Sequence, residues 1–338
     1  MTPFVGALVL ALCPSVSALA APAGRDPAAI RALAAGKRKD ANAAWWGFDP
    51  ANATAALQAA VRSGARTVLV PNVGKPWIVD PIFLESDQEI DLEAGVEIRA
   101  REGGFRGKSD ELFRVQEKEN VVLKGYGAVL SMRKQDYRRA PYEKSEWRDV
   151  LGLYGATNVK VLGVTLANSG GDGVYIAGGG AHPSSRKVLI KDVVSENNYR
   201  QGISVISAEG LRLENVTLRG TEGTPPAAGI DFEPNVAADR LSGISLKDCV
   251  MEKNESYGIQ VGLGHVPADF PPVDITIDGG RVTGNASGSL LVVPGDVRGS
   301  LTLRGVTIEG RRSIKTSKAF VVDVQSAPAA GARRSGGS

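Results

Sequence analysis

Two acidic side chains, Asp231 and Glu233, stand two residues apart in the run Gly-Ile-Asp-Phe-Glu-Pro-Asn that ends at Asn235. In a β-strand, residues i and i+2 project from the same face and lie about 6.5–7 Å apart along the strand. Two carboxylates at this separation suit the acid and base roles of glycoside cleavage, and close like charges favour a raised pKa for one of them. A solvated outer face is the alternative reading, because alternation alone places polar residues there. We predict Asp231 and Glu233 as the catalytic pair.

The pair lies in a phrase that occurs four times, each time opening with a glycine, at Gly173, Gly202, Gly229 and Gly258. These glycines are 29, 27 and 29 residues apart, and a fixed period of this length is typical of stacked repeats. Short runs that alternate apolar and polar residues fill the intervals, as in Val159-x-Val161, which is a strand pattern. Strands that recur without a hairpin signal stack in parallel more easily than they fold back. The repeat therefore predicts an all-β chain, a single-stranded parallel β-helix.

Alignment of the four phrases predicts which side chains share a face. One outward column comprises Tyr175, Ser204, Asp231 and Gln260. Glu233, two residues after Asp231, is expected to point outward in the same way. A second column, just before the glycines, comprises Asp172, Gln201, Ala228 and Tyr257, with Tyr199 and Arg200 alongside. We predict Asp172 as a third catalytic candidate. The predicted substrate-binding residues on this face are Tyr175, Tyr199, Arg200, Gln201, Ser204, Asn235, Tyr257 and Gln260.

The segment from Met132 to Arg148 carries six basic residues, two tyrosines and a tryptophan. Aromatic faces can stack on sugars, and basic groups can bind carboxylates or sulfates. This composition predicts a loop that lies over the cleft and binds a glycan through Arg138 and Arg139. An acidic glycan would suit these basic side chains best. The alternative is a solvated surface loop, because three acidic residues are mixed in.

Composition limits the remaining possibilities. A net charge of +3 over 338 residues, with both signs mixed, gives no case for a nucleic-acid partner. An apolar run at residues 4–13 is too short to span a bilayer, and with Ala18-Leu-Ala20 it predicts a signal peptide over residues 1–20 and a secreted or periplasmic protein. Cys249 then remains alone, as a small core residue without a disulfide.

The domain boundaries follow from the same patterns. Residues 21–45 are expected to be a flexible lead-in, residues 46–325 one β-helix domain, and residues 326–338 a disordered tail. Helical spacing from Asn52 to Val61, with Gly64 to end it, predicts a helix that caps the first coil and covers its open edge.

The opening from Thr54 to Ile98, TAALQAAVRSGARTVLVPNVGKPWIVDPIFLESDQEIDLEAGVEI, resembles the start of pectin-lyase-like proteins, and the later coils continue the resemblance to about residue 310. This resemblance implies a right-handed parallel β-helix with a carbohydrate-binding cleft on one outer face. The family includes polysaccharide lyases, glycoside hydrolases and epimerases, and tail spikes and adhesins share the coil.

Polygalacturonases of glycoside hydrolase family 28 match in part. Their Asn-Thr-Asp-Gly phrase resembles Gly170-Gly-Asp172-Gly173, which implies a catalytic role for Asp172. Their Asp-Asp pair is replaced here by Arg200-Gln201, and their Gly-His-Gly by Ala227-Ala-Gly229. These departures argue against polygalacturonase activity itself.

The sequence thus predicts a secreted glycan-degrading enzyme, most simply a glycoside hydrolase without a cofactor. A polysaccharide lyase or epimerase is the first alternative, in which Arg200 serves as base and acidic residues hold a calcium ion. A non-catalytic glycan-binding β-helix is the second. The expected partner is a polysaccharide or oligosaccharide, with no nucleic acid and no membrane span.

Overall fold

The computed structural model describes residues 24–326, and their strands wrap around one apolar interior as three parallel sheets, named A, B and C. Each coil adds one strand, or two short ones, to each sheet and pairs with the same sheet of the next coil. On sheet A, for example, Val159 and Val161 pair in register with Val188 and Ile190. The predicted all-β parallel β-helix is confirmed.

Sheet A contains Asp40–Asn42, Thr67–Val70, Gln88–Leu92, Glu119–Lys124, Thr157–Leu162, Ser185–Lys191, Ala208–Glu209, Arg212–Glu214, Leu241–Ser242, Ile244–Lys247, Val273–Asp278, Gly299–Ile308 and Phe320–Ser326. Sheet B contains Trp77–Val79, Glu97–Ala100, Val129–Ser131, Thr165–Ala167, Val194–Glu196, Thr217–Arg219, Val250–Glu252, Arg281–Thr283 and the end of Gly299–Ile308. Sheet C contains Ile82–Phe83, Phe113–Gln116, Leu151–Tyr154, Val174–Ala177, Ile203–Val205, Ile230–Phe232, Tyr257–Gly262, Gly288–Val293 and Arg312–Ile314.

The apolar interior is formed by the side chains that point inward from every strand. Ile203, Ile230 and Ile259 follow one another on sheet C, and each is fully buried. Each such side chain stabilises the fold by about 1.5–3 kcal/mol through the water it excludes. Cys249 is buried in the same interior, as predicted, and burial raises the pKa of its thiol to about 11.

Asparagines hold the turns between sheets B and C. Asn168 and Asn197 have positive φ angles of 60° and 52°, which asparagine tolerates better than most residues. Asn197 Nδ2 donates to Asn168 Oδ1 at 2.7 Å, and Asn254 Nδ2 donates to Asn285 Oδ1 at 2.8 Å. These amide ladders keep successive coils in register.

Helices cover the N-terminal end of the solenoid. The helix Thr54–Val61 buries Leu57 and Ala60 against the first coil, and Gln58 bonds to the backbone N–H and C=O of Phe83. This confirms the predicted cap. The other helical segments are the helix Pro27–Ala34 and the 3-10 turns Ala43–Trp46 and Asp136–Arg138.

Residues 24–45 differ from the flexible lead-in that we expected. Leu33 is buried, and Asp40–Asn42 pairs in parallel with Thr67–Leu69, so the sheet begins before residue 46. The reason is that Ala41, Ala43 and Ala44 are small enough to pack closely under the cap. The predicted signal peptide and all of the predicted tail beyond residue 326 lie outside the described residues. Within residues 24–326, no helix has the length and apolar character needed to cross a membrane.

Candidate functional site

The outward column of sheet C has the register that the repeats predict. Tyr175 pairs with Ser204, Ser204 with Asp231, and Asp231 with Gln260. Backbone bonds align the second column in the same way, from Gly173 to Gln201 and from Gly202 to Ala228. The four strand ends therefore bring the candidate side chains from separate coils onto one surface.

This surface is covered, however, and two of its outward side chains are not exposed. Ser204 and Asp231 each have 0% exposure. Asp231 Oδ2 accepts hydrogen bonds from Gln201 Nε2 and Gln260 Nε2, each at 3.0 Å. Gln201 is held in turn because its Oε1 accepts from the N–H of Ala228. The alternative of a solvated face does not hold for Asp231, because the long amide side chains of neighbouring coils close over it.

Arg200 joins the remaining acidic groups. Its Nη2 lies 2.5 Å from Glu233 Oε1, and its Nη1 lies 3.3 Å from Asp172 Oδ2 and 3.2 Å from Ser204 Oγ. The Arg200 side chain is only 12% exposed, and that of Glu233 is 18% exposed. One guanidinium therefore links Asp172 and Glu233, which come from different coils.

Burial shifts the protonation equilibria of this cluster. It raises the pKa of Asp172 to about 7, although the nearby Arg200 charge opposes the shift. Burial, together with the negative charge of Glu233, raises the pKa of Asp231 well above its usual value. The pKa of Arg200 is raised as well, because the charges of Asp172 and Glu233 outweigh the opposing effect of its burial. The site thus combines carboxyl groups whose pKa values are raised by burial with the cation of Arg200.

Two buried oxygens in the cluster lack a hydrogen-bond partner among the described residues. They are Asp172 Oδ1 and Asp231 Oδ1. An unpaired buried polar atom costs free energy, so such atoms in a native fold call for an explanation. A protonated carboxyl that donates to a substrate oxygen would satisfy this requirement.

Sequence reasoning missed two acids of the same ladder, Glu111 and Asp149. Backbone bonds place Glu111 beside Asp149 and Asp149 beside Asp172, and Asp149 Oδ1 accepts from the N–H of Asp172 at 2.6 Å. Burial and the neighbouring Asp172 charge raise the pKa of Asp149 well above its usual value. The pattern that could have identified them is an acidic residue two positions before the first inward apolar residue of a sheet C strand. It was overlooked because Leu112 and Val150 replace the glycine of the later phrases.

A cavity of about 510 Å³ opens on sheet C beside these acids. Its walls include Asp149, Tyr154, Tyr175 and Trp147, and the rings of Tyr154 and Tyr175 lie 5.7 Å apart. Tyr154 Oη donates to Glu111 Oε1 at 2.6 Å, which fixes that ring. Gly152 leaves the space for this contact, because a Cβ there would lie 2.6 Å from the Tyr154 ring. Aromatic walls with a buried acid fit the recognition of a sugar ring.

The segment of residues 132–148, here called the flap, packs on the solenoid through the buried side chains of Tyr137 and Arg148, and residues 138–144 between them are largely exposed. Arg148 is fully buried, donates to the carbonyl oxygen of Phe105 at 2.9 Å and lies 5.3 Å from the centre of the Tyr137 ring. Glu146 reaches across to Thr224 Oγ1 at 3.2 Å and lies 3.9 Å from Arg200 Nε. The flap therefore borders the acidic cluster, as the sequence predicts.

The other predicted binding residues lie at different distances from this centre. Arg138 lies over the ring of Tyr199 at 5.3 Å, and both line a separate cavity with Arg139. Tyr257 is half-buried at the end of the second column. Asn235 is exposed in the following turn, where its N–H donates to Asp239 Oδ2, and among the bonds within residues 24–326 none joins its side chain to the acidic cluster.

A search of residues 24–326 finds no group of three His, Cys, Asp or Glu side chains arranged to hold a metal ion. The acids on sheet C are held instead by Arg200, Gln201, Gln260 and Tyr154.

Residues 145–315 match the family model described as the right handed beta helix region. This match covers half of the chain and includes Asp172, Arg200 and Asp231. The chain belongs to the right-handed β-helix family. This match confirms the right-handed coil that the sequence resemblance implies for this β-helix.

A curated relative, the SPbeta prophage-derived uncharacterized protein YorA of Bacillus subtilis (strain 168), is 25% identical over 199 residues. The match covers 54% of this β-helix and 33% of YorA, so the chain spans about a third of the length of that relative.

Solved structures show the same fold at low sequence identity. The A-module of the mannuronan C-5 epimerase AlgE4 of Azotobacter vinelandii matches with a TM-score of 0.56 and 17% identity, over 79% of this chain and 75% of that one. A 1,3-alpha-1,4-beta-D-galactose-4-sulfate-3,6-anhydro-D-galactose-2-sulfate 4 galactohydrolase matches with a TM-score of 0.56 and 16% identity, over 79% and 70%. PfbA, a surface adhesin of Streptococcus pneumoniae, matches with a TM-score of 0.52 and 10% identity, over 84% and 82%.

Proposed function

We propose that this protein is a glycan-degrading enzyme, specifically a glycoside hydrolase that uses carboxyl groups on the outer face of sheet C. Two of the similar structures carry names that describe action on glycans, an epimerase and a galactohydrolase. The third is an adhesin, so likeness of fold does not choose between catalysis and binding. The choice depends on the chemistry of the acidic cluster.

The observation that carries the proposal is the unequal environment of Asp231 and Glu233. Asp231 is fully buried, accepts only from neutral amides, and has a raised pKa. Glu233 forms an ion pair with Arg200. Two neighbouring carboxyl groups in such different environments suit the separate roles of acid and base.

In the proposed mechanism, Asp231 holds a proton at neutral pH and donates it to the oxygen of the glycosidic bond as the bond breaks. Glu233 serves as the base that takes a proton from a water molecule, whose oxygen bonds to the sugar carbon as the leaving sugar departs with the proton from Asp231. Arg200 orients Glu233 through their ion pair. Asp172, which contacts the same guanidinium, is the next candidate for either role. Because Asp231 is fully buried beneath the amides of Gln201 and Gln260, these side chains must move for a sugar to reach it.

A second assignment within the same reaction class uses Asp149 and Asp172. The observation in its favour is that Asp149 lines the aromatic cavity and its pKa is also raised. Separate Asp149→Asn and Asp231→Asn variants distinguish the two assignments by which one loses turnover.

A lyase or epimerase is less favoured, because such an enzyme needs a base to remove a carbon-bound proton. The raised pKa of Arg200 makes it a poor base, and the ion pair with Glu233 further holds its protons. The pKa values of Tyr154 and Tyr175 are raised as well, mainly by burial, so neither ring is prepared to accept a proton.

The test is a screen of purified protein against neutral, uronic and sulfated glycans. New reducing ends without ultraviolet absorbance support a hydrolase, and an unsaturated, absorbing product would indicate a lyase. Exchange of a sugar hydrogen with solvent, without cleavage, would indicate an epimerase. Binding without any reaction would indicate a non-catalytic module.

We also propose that the enzyme acts outside the cytoplasm, from the apolar pattern of residues 1–20. Sequencing of the N-terminus of protein recovered from the periplasm or medium tests this, because export with cleavage predicts a mature chain that begins after Ala20.

A further inference from the structure

A second cavity lies on the flap, separate from the aromatic cavity. It encloses about 310 Å³ and is lined by cations and tyrosines, chiefly Lys134, Arg138, Arg139, Lys144, Tyr142 and Tyr199. No acidic side chain lines it. This volume lies at the lower end of the range for small-ligand sites.

The charges of this cavity are only partly compensated within the described residues. Arg139 forms an ion pair with Asp136 at 3.1 Å, and Asp136 also contacts Arg133. Arg138 and Lys144 form no ion pair with any residue between 24 and 326. The cavity therefore has two guanidinium or ammonium groups that are available to an anion.

Lys134 is a buried cation at the base of the cavity, with its side chain 2% exposed. Its Nζ donates to Asn197 Oδ1 at 3.0 Å and to the carbonyl oxygen of Asn198 at 3.1 Å, whereas the nearest carboxylate, of Glu222, lies 4.0 Å away. An ammonium group has three N–H donors, so one remains without an acceptor at hydrogen-bond distance. A buried ammonium held mainly by neutral oxygens is expensive unless an anion approaches it.

The backbone joins this cavity to the acidic cluster. Tyr199 lines the cavity, and its N–H and that of Arg200 both donate to the carbonyl oxygen of Gly171. Gly170 is also part of the cavity wall, two residues before Asp172. The flap cavity and the acidic cluster are therefore built on the same two chain segments, one that contains Gly170 and Asp172 and one that contains Tyr199 and Arg200.

We infer that the flap cavity is a subsite for an anionic sugar, which binds through the carboxylate or sulfate of a residue next to the one being cleaved. Arg138 and Lys144 supply the positive charge, and Lys134 supplies a buried hydrogen-bond donor. The Tyr199 ring, over which Arg138 lies, forms one wall. This inference rests on the proposed function for its choice of ligand, and it specifies the substrate as an acidic glycan.

The test measures binding by calorimetry in an Asp231→Asn background, so that the oligosaccharides remain intact. The probes are oligosaccharides of a uronic acid, of a sulfated galactose and of neutral glucose. The pocket variant is Arg138→Ala with Lys144→Ala. The matched control is Arg212→Ala with Lys247→Ala, two exposed cations on sheet A, because it removes the same net charge far from the flap.

We expect an acidic oligosaccharide to bind at least tenfold more tightly than the neutral one. The pocket variant should lose about tenfold in affinity for it, since hydrogen bonds to charged groups are among the stronger ones, and the control should lose little. The loss should diminish at high salt, because charge contacts are screened. Preference for the uronic or the sulfated probe identifies the anion.

Equal affinity for acidic and neutral probes, no binding of any acidic probe, or equal losses in both variants would overturn the inference. Failure of the proposed function has a different signature. In that case the acidic preference and its dependence on Arg138 remain, but the unmodified protein releases no product.

Discussion

Arg200 Nη2 lies 2.5 Å from Glu233 Oε1, so the guanidinium pairs with the carboxylate that follows the strand Ile230–Phe232. Asp231, two residues earlier, receives only amide N–H groups and has a raised pKa. In the proposed mechanism, this difference makes Asp231 the proton donor and Glu233 the base.

Replacement of either group should abolish turnover without unfolding the protein. Asp231→Asn and Glu233→Gln keep size and shape but remove proton transfer, so we expect kcat to fall by roughly 10²–10⁴ for each. Steady-state kinetics and thermal melting measure the two effects. Asp231→Asn should melt no lower than the unmodified protein at pH 7, since the amide resembles the neutral acid. Asp274→Asn, on an exposed site of sheet A, is the control, and near-normal turnover of both variants would contradict the assignment.

Arg200 should contribute to stability in a pH-dependent way. Removal of one partner from a buried ion pair costs roughly 3–5 kcal/mol, because it leaves an uncompensated charge. In Arg200→Gln, the pKa of Asp172 should rise further, so protonation relieves the cost at low pH. Urea unfolding should show a large loss at pH 8 and a smaller one at pH 5. The acidic limb of the rate profile should also move to higher pH, which a purely structural role would not produce. Equal losses at both pH values would argue against the charge network.

The raised pKa of Asp172 has a defined consequence for the stability of the unmodified protein. Its pKa is raised from an unperturbed 3.8 to about 7 in the fold, chiefly by burial, so the native state binds more protons than the unfolded state between these values. The free energy of unfolding should therefore fall as pH rises from about 4 to about 7, by up to about 1.4 kcal/mol per unit for one proton. Asp172→Asn should flatten this decline and raise the melting temperature at pH 8. A variant with an unchanged pH dependence would show that Asp172 does not titrate in this range.

The two columns of sheet C could be predicted from sequence because a two-residue period fixes which side chains share a face. The repeated glycines supplied the alignment of Tyr175, Ser204, Asp231 and Gln260. The burial of Asp231 could not be predicted, since it depends on how far the amides of Gln201 and Gln260 extend from neighbouring coils. Contacts of this kind depend on side-chain conformations that no local pattern encodes.

Glu111 and Asp149 show a different limit. Their coils keep the strand alternation but carry Leu112 and Val150 in place of the glycine, so a search based on glycine passes over them. Alignment by the inward apolar pairs, such as Leu151 and Leu153, would have recovered both acids.

Gly152 should control the aromatic cavity. A Cβ at this position would lie 2.6 Å from the Tyr154 ring and 2.9 Å from Glu111 Cγ, so Gly152→Ala must displace the pair. We expect KM to rise several-fold with a smaller change in kcat. Gly262→Ala is the matched control on the same sheet, because nothing lies within 4 Å of its added Cβ. If both variants had the same KM, the cavity would not lie on the path of the substrate.

Activity should persist after treatment with a chelator, because the proposed acid and base are both side chains of this protein. Dialysis against EDTA followed by a rate measurement tests this. A loss that calcium restores would favour the lyase alternative, in which acidic residues bind the ion and the sugar acid together.

The most direct test of the central claim is cleavage in water enriched in heavy oxygen, followed by mass spectrometry of the products. Hydrolysis by Asp231 and Glu233 predicts one heavy oxygen at each new reducing end, formed by the unmodified protein and lost in Asp231→Asn. Unsaturated products without the label, or labelled products formed equally well by Asp231→Asn, would contradict it.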